Sequence, residues 1–167
     1  IGLITNIGEA HIENFHNLNG IAKAKAEIVE NINKNGFLIL NKDDKYFNLL
    51  SKIAKKNKIK VLSFGTSKKS DAKLIKIKTF NNHELLYLKI LNKNIFFKVK
   101  NINSLTILNL LSSLLVFSVL NLNLSKIKNL TNFFQAVEGR GKAHIVSRYK
   151  KKFNLIDESY NANPSSV

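Results

Sequence analysis

The sequence predicts an α/β fold: a mostly parallel sheet flanked by helices, with a small antiparallel meander, then the start of a second α/β domain. Three observations predict it. Between residues 1 and 65, short apolar runs alternate with segments of helical period, the order expected of strands paired in parallel and covered by their crossover helices. Between residues 72 and 99, period-two stretches are joined by Asn-rich turns, the pattern of hairpins. Past Gly139-Arg140-Gly141, strand-like runs begin again.

Each element follows in order. Gly2 to Ile7 is an apolar run ending at Gly8, a buried strand entering a loop. Gly20 to Asn33 turns helical, with Ile21, Ala24, Ile28, Val29 and Ile32 on one face. Gly36 stops it, and Phe37-Leu38-Ile39-Leu40 is the second buried strand. Asp43-Asp44 opens another helix with Phe47, Leu50, Ile53 and Ala54 inward, and Lys60 to Gly65 is the third strand. Ala72–Phe80, Glu84–Leu91 and Ile95–Val99 form the meander, with turns at Asn81-Asn82 and Asn92-Lys93-Asn94. Leu105 to Leu120 is a long apolar helix, and Ser125 caps a further one through Phe134. Two strands follow, His144–Tyr149 and Phe153–Asp157. The Gly-Arg-Gly link is the expected boundary, giving a unit over 1–137 and the opening of another over 138–167.

The chain has 167 residues, 44% hydrophobic, enough for one packed domain or one domain and part of another. It starts at Ile1, contains no Met and stops at Pro164-Ser165-Ser166-Val167 in mid-pattern, so an internal piece of a longer protein is expected. The absence of Cys excludes disulfides, thiolate metal sites and Cys nucleophiles. No apolar run reaches the ~18 residues of a membrane span; the longest, from Leu105 to Leu124, is broken by Asn109, Ser112, Ser113, Ser118 and Asn121. A cytoplasmic, monomeric protein with no membrane partner is expected. The net charge of +16 raises nucleic acid as a partner. Against it, the lysines are spread along the chain and Arg stands only at 140 and 148, so no nucleic acid is expected.

Three constellations carry candidate chemistry. In Thr5-Asn6-Ile7-Gly8-Glu9-Ala10-His11, the histidine follows the carboxyl end of a buried strand, where open α/β sheets bind ligands. It is either a metal-binding imidazole or a loop histidine in water. Lys25 is spaced four residues after Ile21 and three before Ile28, on the apolar stripe of its helix. It is either an amine made nucleophilic toward carbon dioxide by a core face or a snorkelling side chain. Asn109 on the long apolar helix needs a partner, either a ligand ring edge or a neighbouring backbone group. Finally, Arg140 between two glycines is open to a phosphate. Asp157-Glu158-Ser159-Tyr160-Asn161-Ala162-Asn163-Pro164 gathers acids, hydroxyls and amides at a strand end; turn chemistry alone accounts for part of that polarity.

Taken together and in this order, these segments resemble the Mur ligases, ATP-dependent amide-bond-forming enzymes of peptidoglycan synthesis. The first is similar to that family's strand, Asn-x-x-x-x-His and Ala-Lys helix. The last is similar to the closing signature of the branch that adds D-alanyl-D-alanine, and the Asn41-Lys42-Asp43-Asp44 and Ser63-Phe64-Gly65 segments sit where that branch has like ones. The resemblance spans essentially the whole chain. It implies ATP and magnesium as cofactors, and a UDP-muramoyl-tripeptide and D-alanyl-D-alanine as substrates. His11 then matches a magnesium ligand, and Lys25 a lysine whose carbamate serves the same ion. Asn109 matches an adenine contact, Arg140 a residue at the nucleotide phosphates, and Glu158 a ribose contact with Asn161 and Asn163 beside it. Lys25 and Arg140 are the implied catalytic residues.

Two departures stand out. The Gly-x-x-Gly-Lys-Thr/Ser phosphate loop is absent, so the chain alone is expected to be inactive. Leu105 and Thr106 replace a His-Asn pair ahead of Asn109. The rival readings are another Mur or folylpolyglutamate-type ligase and a basic nucleic-acid-binding module.

Overall fold

A computed structural model describes residues 1–8, 15, 17–100, 102–124, 127, 139, 142–149, 151–157 and 159–160. Six strands form one sheet in sequential order: β1 (Gly2–Ile4), β2 (Phe37–Asn41), β3 (Lys60–Gly65), β4 (Ala72–Phe80), β5 (His83–Ile90) and β6 (Lys93–Val99). β1, β2, β3 and β4 pair in parallel, then β4, β5 and β6 pair antiparallel. The meander is therefore not a separate sheet. Phe64↔Ala72 and Gly65↔Lys73 join it to the parallel part, because β4 resumes beside the end of β3 after a short turn.

Packing follows the two-residue period of a strand. Leu38 and Leu40 of β2 face the helices α1 (Leu18–Ala26) and α2 (Phe47–Lys56), in a core with Ile4, Ile21, Ala22, Leu50 and Ala54. Ile39, between them, faces the opposite way and packs with Phe64, Leu86, Leu88 and Phe97 under α3 (Ser104–Val119). β2 is thus covered on both faces, which is why its sequence reads as an uninterrupted apolar run. α3 contacts β2, β3, β4 and β5, and its Leu111, Leu114 and Leu115 are at most 1% exposed.

The helix ends differ from the sequence expectation. α1 starts at Leu18, capped by Asn17, whose side chain accepts from the Gly20 N–H. It ends at Ala26 and tightens into a 3₁₀ turn over Glu27–Asn31, instead of running to Asn33. The change in period rotates Ile28 off the core face to 37% exposure. α2 starts at Phe47, three residues after Asp44, because both aspartates are engaged in loop contacts. α3 is capped by Asn103, whose Oδ1 accepts from the Thr106 N–H at 2.8 Å. β7 (Lys142–Arg148) and β8 (Lys151–Asp157) form a separate antiparallel pair. The further helix expected from Ser125 to Phe134 lies outside the described residues, save Ile127.

Candidate functional site

The carboxyl ends of β1, β2 and β3 lie side by side, and the segments leaving them are tied together by two adjacent aspartates. Asp44 Oδ2 accepts from the Ile7 N–H at 2.7 Å, which anchors the segment after β1. Its Oδ1 accepts from the Tyr46 N–H at the approach to α2. Asp43 reaches the other way, accepting from Thr66 at 2.6 Å and Ser67 at 3.3 Å, just past β3. Asn41 closes the turn through its Oδ1 and the Asp43 N–H. The approach of Asp43 requires glycine at 65. Gly65 has φ +151°, and a Cβ there would lie 2.6 Å from Asp43 Oδ2.

Lys25 sits beside this cluster. The buried residues of α1 are Ile21, Ala22 and Ala26, while Lys25 is exposed, so it borders the apolar stripe without lying in the core. Its head is not free in water, however. Nζ donates to the Asn6 carbonyl oxygen at 2.9 Å, placing the amine against the segment that leaves β1. Of the two sequence readings, the geometry is that of a snorkelling stem whose ammonium is held at the strand ends.

Asn109 lies elsewhere. It is exposed, on the solvent side of α3, aligned at four-residue spacing with exposed Leu105 and Ser113. Its side-chain amide therefore has no burial to offset, and its backbone carbonyl oxygen accepts from the Ser112 and Ser113 hydroxyls. β6 runs in the same direction as β1–β3. α3 therefore begins at the carboxyl-end edge of the sheet, and Asn109 falls in its second turn. α1 and α3 cover opposite faces, so the sheet separates Asn109 from Lys25.

The third constellation is partly described. Gly139, with φ +74°, donates its N–H to Asp157 Oδ2 at 3.0 Å and accepts from the Tyr160 N–H at 3.1 Å. Asp157 Oδ1 accepts from the Ser159 N–H. Gly139 is thus adjacent in space to Asp157 and Tyr160, from which a hairpin separates it in sequence. A Cβ at Gly139 would meet Tyr160 Cβ at 2.7 Å, so this contact also needs glycine. Hydrogen bonds from Ser159, then the Gly139 N–H and the nearby His144, hold the Asp157 carboxyl below its ordinary value of 3.8. A lowered carboxylate pKa favours the fold at every pH above the ordinary value, and the contribution is lost only as pH falls through the lower, folded value. Carboxyl ¹³C titration of Asp157 is expected to give a midpoint below 3.8, with the Gly139 amide shift following the same curve. A midpoint at or above the ordinary value would show that the contact is absent in solution.

His11, Arg140, Glu158, Asn161 and Asn163 lie outside the described residues. Among the described residues, no group of three or more His, Cys, Asp or Glu side chains forms a metal cluster. The sequence marks Asp43 and Asp44 as a helix start and as part of a segment like one in the ligase branch, but gives them no contacts. Two adjacent acids directly after a fully buried strand were the available signal, since a carboxylate at that edge faces the backbone N–H groups of neighbouring loops.

Comparison with known proteins matches residues 1–117 to the Mur ligase middle domain. The chain is 34% identical over 168 residues to the UDP-N-acetylmuramoyl-tripeptide–D-alanyl-D-alanine ligase of Rickettsia prowazekii, covering all of this chain and 36% of that protein. It is 30% identical to the ligase of the same name from Buchnera aphidicola, again over its whole length and 35% of the relative. The chain thus spans about a third of the relatives it matches. Among solved structures, MurF from Acinetobacter baumannii superposes with a TM-score of 0.80 at 24% identity, over 98% of this chain and 34% of that one. MurF ligase from Thermotoga maritima in complex with ADP gives 0.78 at 23%, over 99% and 36%. At these identities the superpositions establish the fold.

Proposed function

Because this chain belongs to the Mur ligase family, we propose that the protein carrying it joins D-alanyl-D-alanine to a UDP-N-acetylmuramoyl-tripeptide, using ATP, in peptidoglycan synthesis. The observation that carries the reading is the alignment over the whole chain, at 34% identity, with a relative named for that reaction. The closing Asp157 to Pro164 run, similar to the signature of that branch, supports it. The described strand-end cluster lies at the edge where open α/β sheets bind ligands.

In this reading the tripeptide carboxylate takes the γ-phosphoryl group of ATP to become an acyl phosphate, with ADP as the leaving group. The dipeptide amine attacks that carbonyl carbon, and the tetrahedral intermediate collapses to amide and inorganic phosphate. The groups that would hold magnesium are a carbamate on Lys25, whose amine lies 2.9 Å from the Asn6 carbonyl at the strand ends, and the His11 imidazole. Magnesium bound by these groups would supply neutralisation of charge on the transferring phosphoryl group. Arg140 approaches the nucleotide phosphates as a planar cation flanked by glycines. Asn109 contacts adenine, and Glu158, Asn161 and Asn163 line the ribose side. Residues 1–137 act as the central nucleotide-binding unit and 138–167 open the C-terminal one. The separate β7–β8 sheet and the left-handed Gly139 support a junction there. The protein works as a cytoplasmic monomer on small molecules, with no nucleic acid or membrane partner.

The test is phosphate release by the full-length protein with ATP, magnesium and UDP-muramoyl-tripeptide, with and without D-alanyl-D-alanine. Release that requires the dipeptide is expected. Release with a single amino acid would keep the family and replace the substrate. Salt-sensitive nucleic-acid binding with no release would overturn the reading.

A further inference from the structure

We propose that Asp44 is a positioning residue for Lys25, acting through the single peptide plane between Asn6 and Ile7; its catalytic consequence rests on the ligase reading above. The Asn6 carbonyl and the Ile7 N–H belong to one rigid planar unit. The carbonyl oxygen accepts from Lys25 Nζ at 2.9 Å, and the N–H donates to Asp44 Oδ2 at 2.7 Å. One peptide is gripped at its two ends by side chains of opposite charge, each in a charge-assisted hydrogen bond. Neither grip is local: Lys25 is 19 residues away and Asp44 is 37.

The carboxylate is itself held in place. Its second oxygen accepts from the Tyr46 N–H at 2.7 Å, and the adjacent Asp43 is bonded to Thr66 and Ser67 beyond β3. Ile7 is 8% exposed and packs in the core with Ile4, Ile21 and Leu40. The plane therefore has a buried anchor on one side and a fixed acceptor on the other, and its remaining rotation sets where the Asn6 oxygen points. That oxygen is the partner of the Lys25 head. Without the Asp44 carboxylate, a half-buried N–H loses its acceptor, the plane is free to turn, and the amine loses its fixed position.

Asp44→Asn keeps the volume but leaves one acceptor oxygen for two N–H donors. In the full-length protein it is expected to raise the half-saturating magnesium concentration and to lower dipeptide-dependent turnover, each by about 10–100-fold, as for residues that orient a metal ligand. The KM for D-alanyl-D-alanine should stay unchanged. Asp71→Asn is the structural control. Its carboxylate likewise holds Ser63, through N–H and hydroxyl at 2.8 and 2.7 Å, with no link to Lys25. It should lower Tm without moving the magnesium requirement. Equal magnesium effects in the two variants, or none in Asp44→Asn, would overturn the proposal. A second readout is independent of ligase activity: the rate at which an amine-acylating reagent labels Lys25, followed by mass spectrometry. Labelling should accelerate in Asp44→Asn and not in Asp71→Asn, even if the protein proves to have another substrate. An unchanged labelling rate in Asp44→Asn would sink the proposal and leave the ligase reading standing.

Discussion

Replacing Lys25 by alanine in the full-length protein is expected to lower dipeptide-dependent turnover by about 10²–10³-fold, the several kcal/mol that charge neutralisation at a transferring phosphoryl group is worth. Folding should hardly change. Lys25 is exposed and its one described contact is the bond to the Asn6 carbonyl, so removing it should cost within about 0.5–1.5 kcal/mol. The separation of these two effects is the useful result. Arginine at 25 would keep a cation near Asn6 but offers no amine to carbamylate, and should be as inactive as alanine. Turnover within about threefold of wild type for either variant would remove Lys25 from the site.

Phe64→Ala should have the largest effect on stability. Phe64 is 0% exposed at the end of β3, in the core beneath α3 with Leu86, Leu88 and Leu111. Truncation of a fully buried phenylalanine costs about 3–5 kcal/mol through lost transfer energy and the cavity left behind. For a unit of this size that corresponds to a fall in Tm of roughly 6–20 °C, measurable by calorimetry of the full-length protein. The adjacent Gly65 and the Asp43 contacts with Thr66 and Ser67 make the site sensitive to the same change. A fall in Tm of less than about 3 °C would mean that this core is not closed in solution.

Some of this architecture was readable from residue order. The alternation of apolar runs and helical periods placed β1 to β3, and Lys60 to Gly65 is the observed third strand. The Asn-rich turns separated β4, β5 and β6, but the second lies at Leu91-Asn92 and Lys93-Asn94 already belong to β6. Helix ends were read less well. A cap such as Asn17, or the tightening after Ala26, depends on one or two hydrogen bonds that periodicity does not register. The spacing of Lys25 puts it on the apolar stripe, whereas in the structure its head lies outside the core, on the Asn6 carbonyl.

The sequence by itself determined the fold class and the family, because burial follows apolar period and because the motifs at Thr5 to His11 and Asp157 to Pro164 are local in the chain. Tertiary structure alone decided which distant groups meet. Lys25 and Asp44 converge on one peptide of the segment after β1, and Gly139 meets Asp157 and Tyr160 across a hairpin. It also put Asn109 across the sheet from Lys25. The physical reason is that a hydrogen bond needs its atoms within about 3 Å along a fixed direction, and that geometry is set by how strands and helices pack, not by their order along the chain.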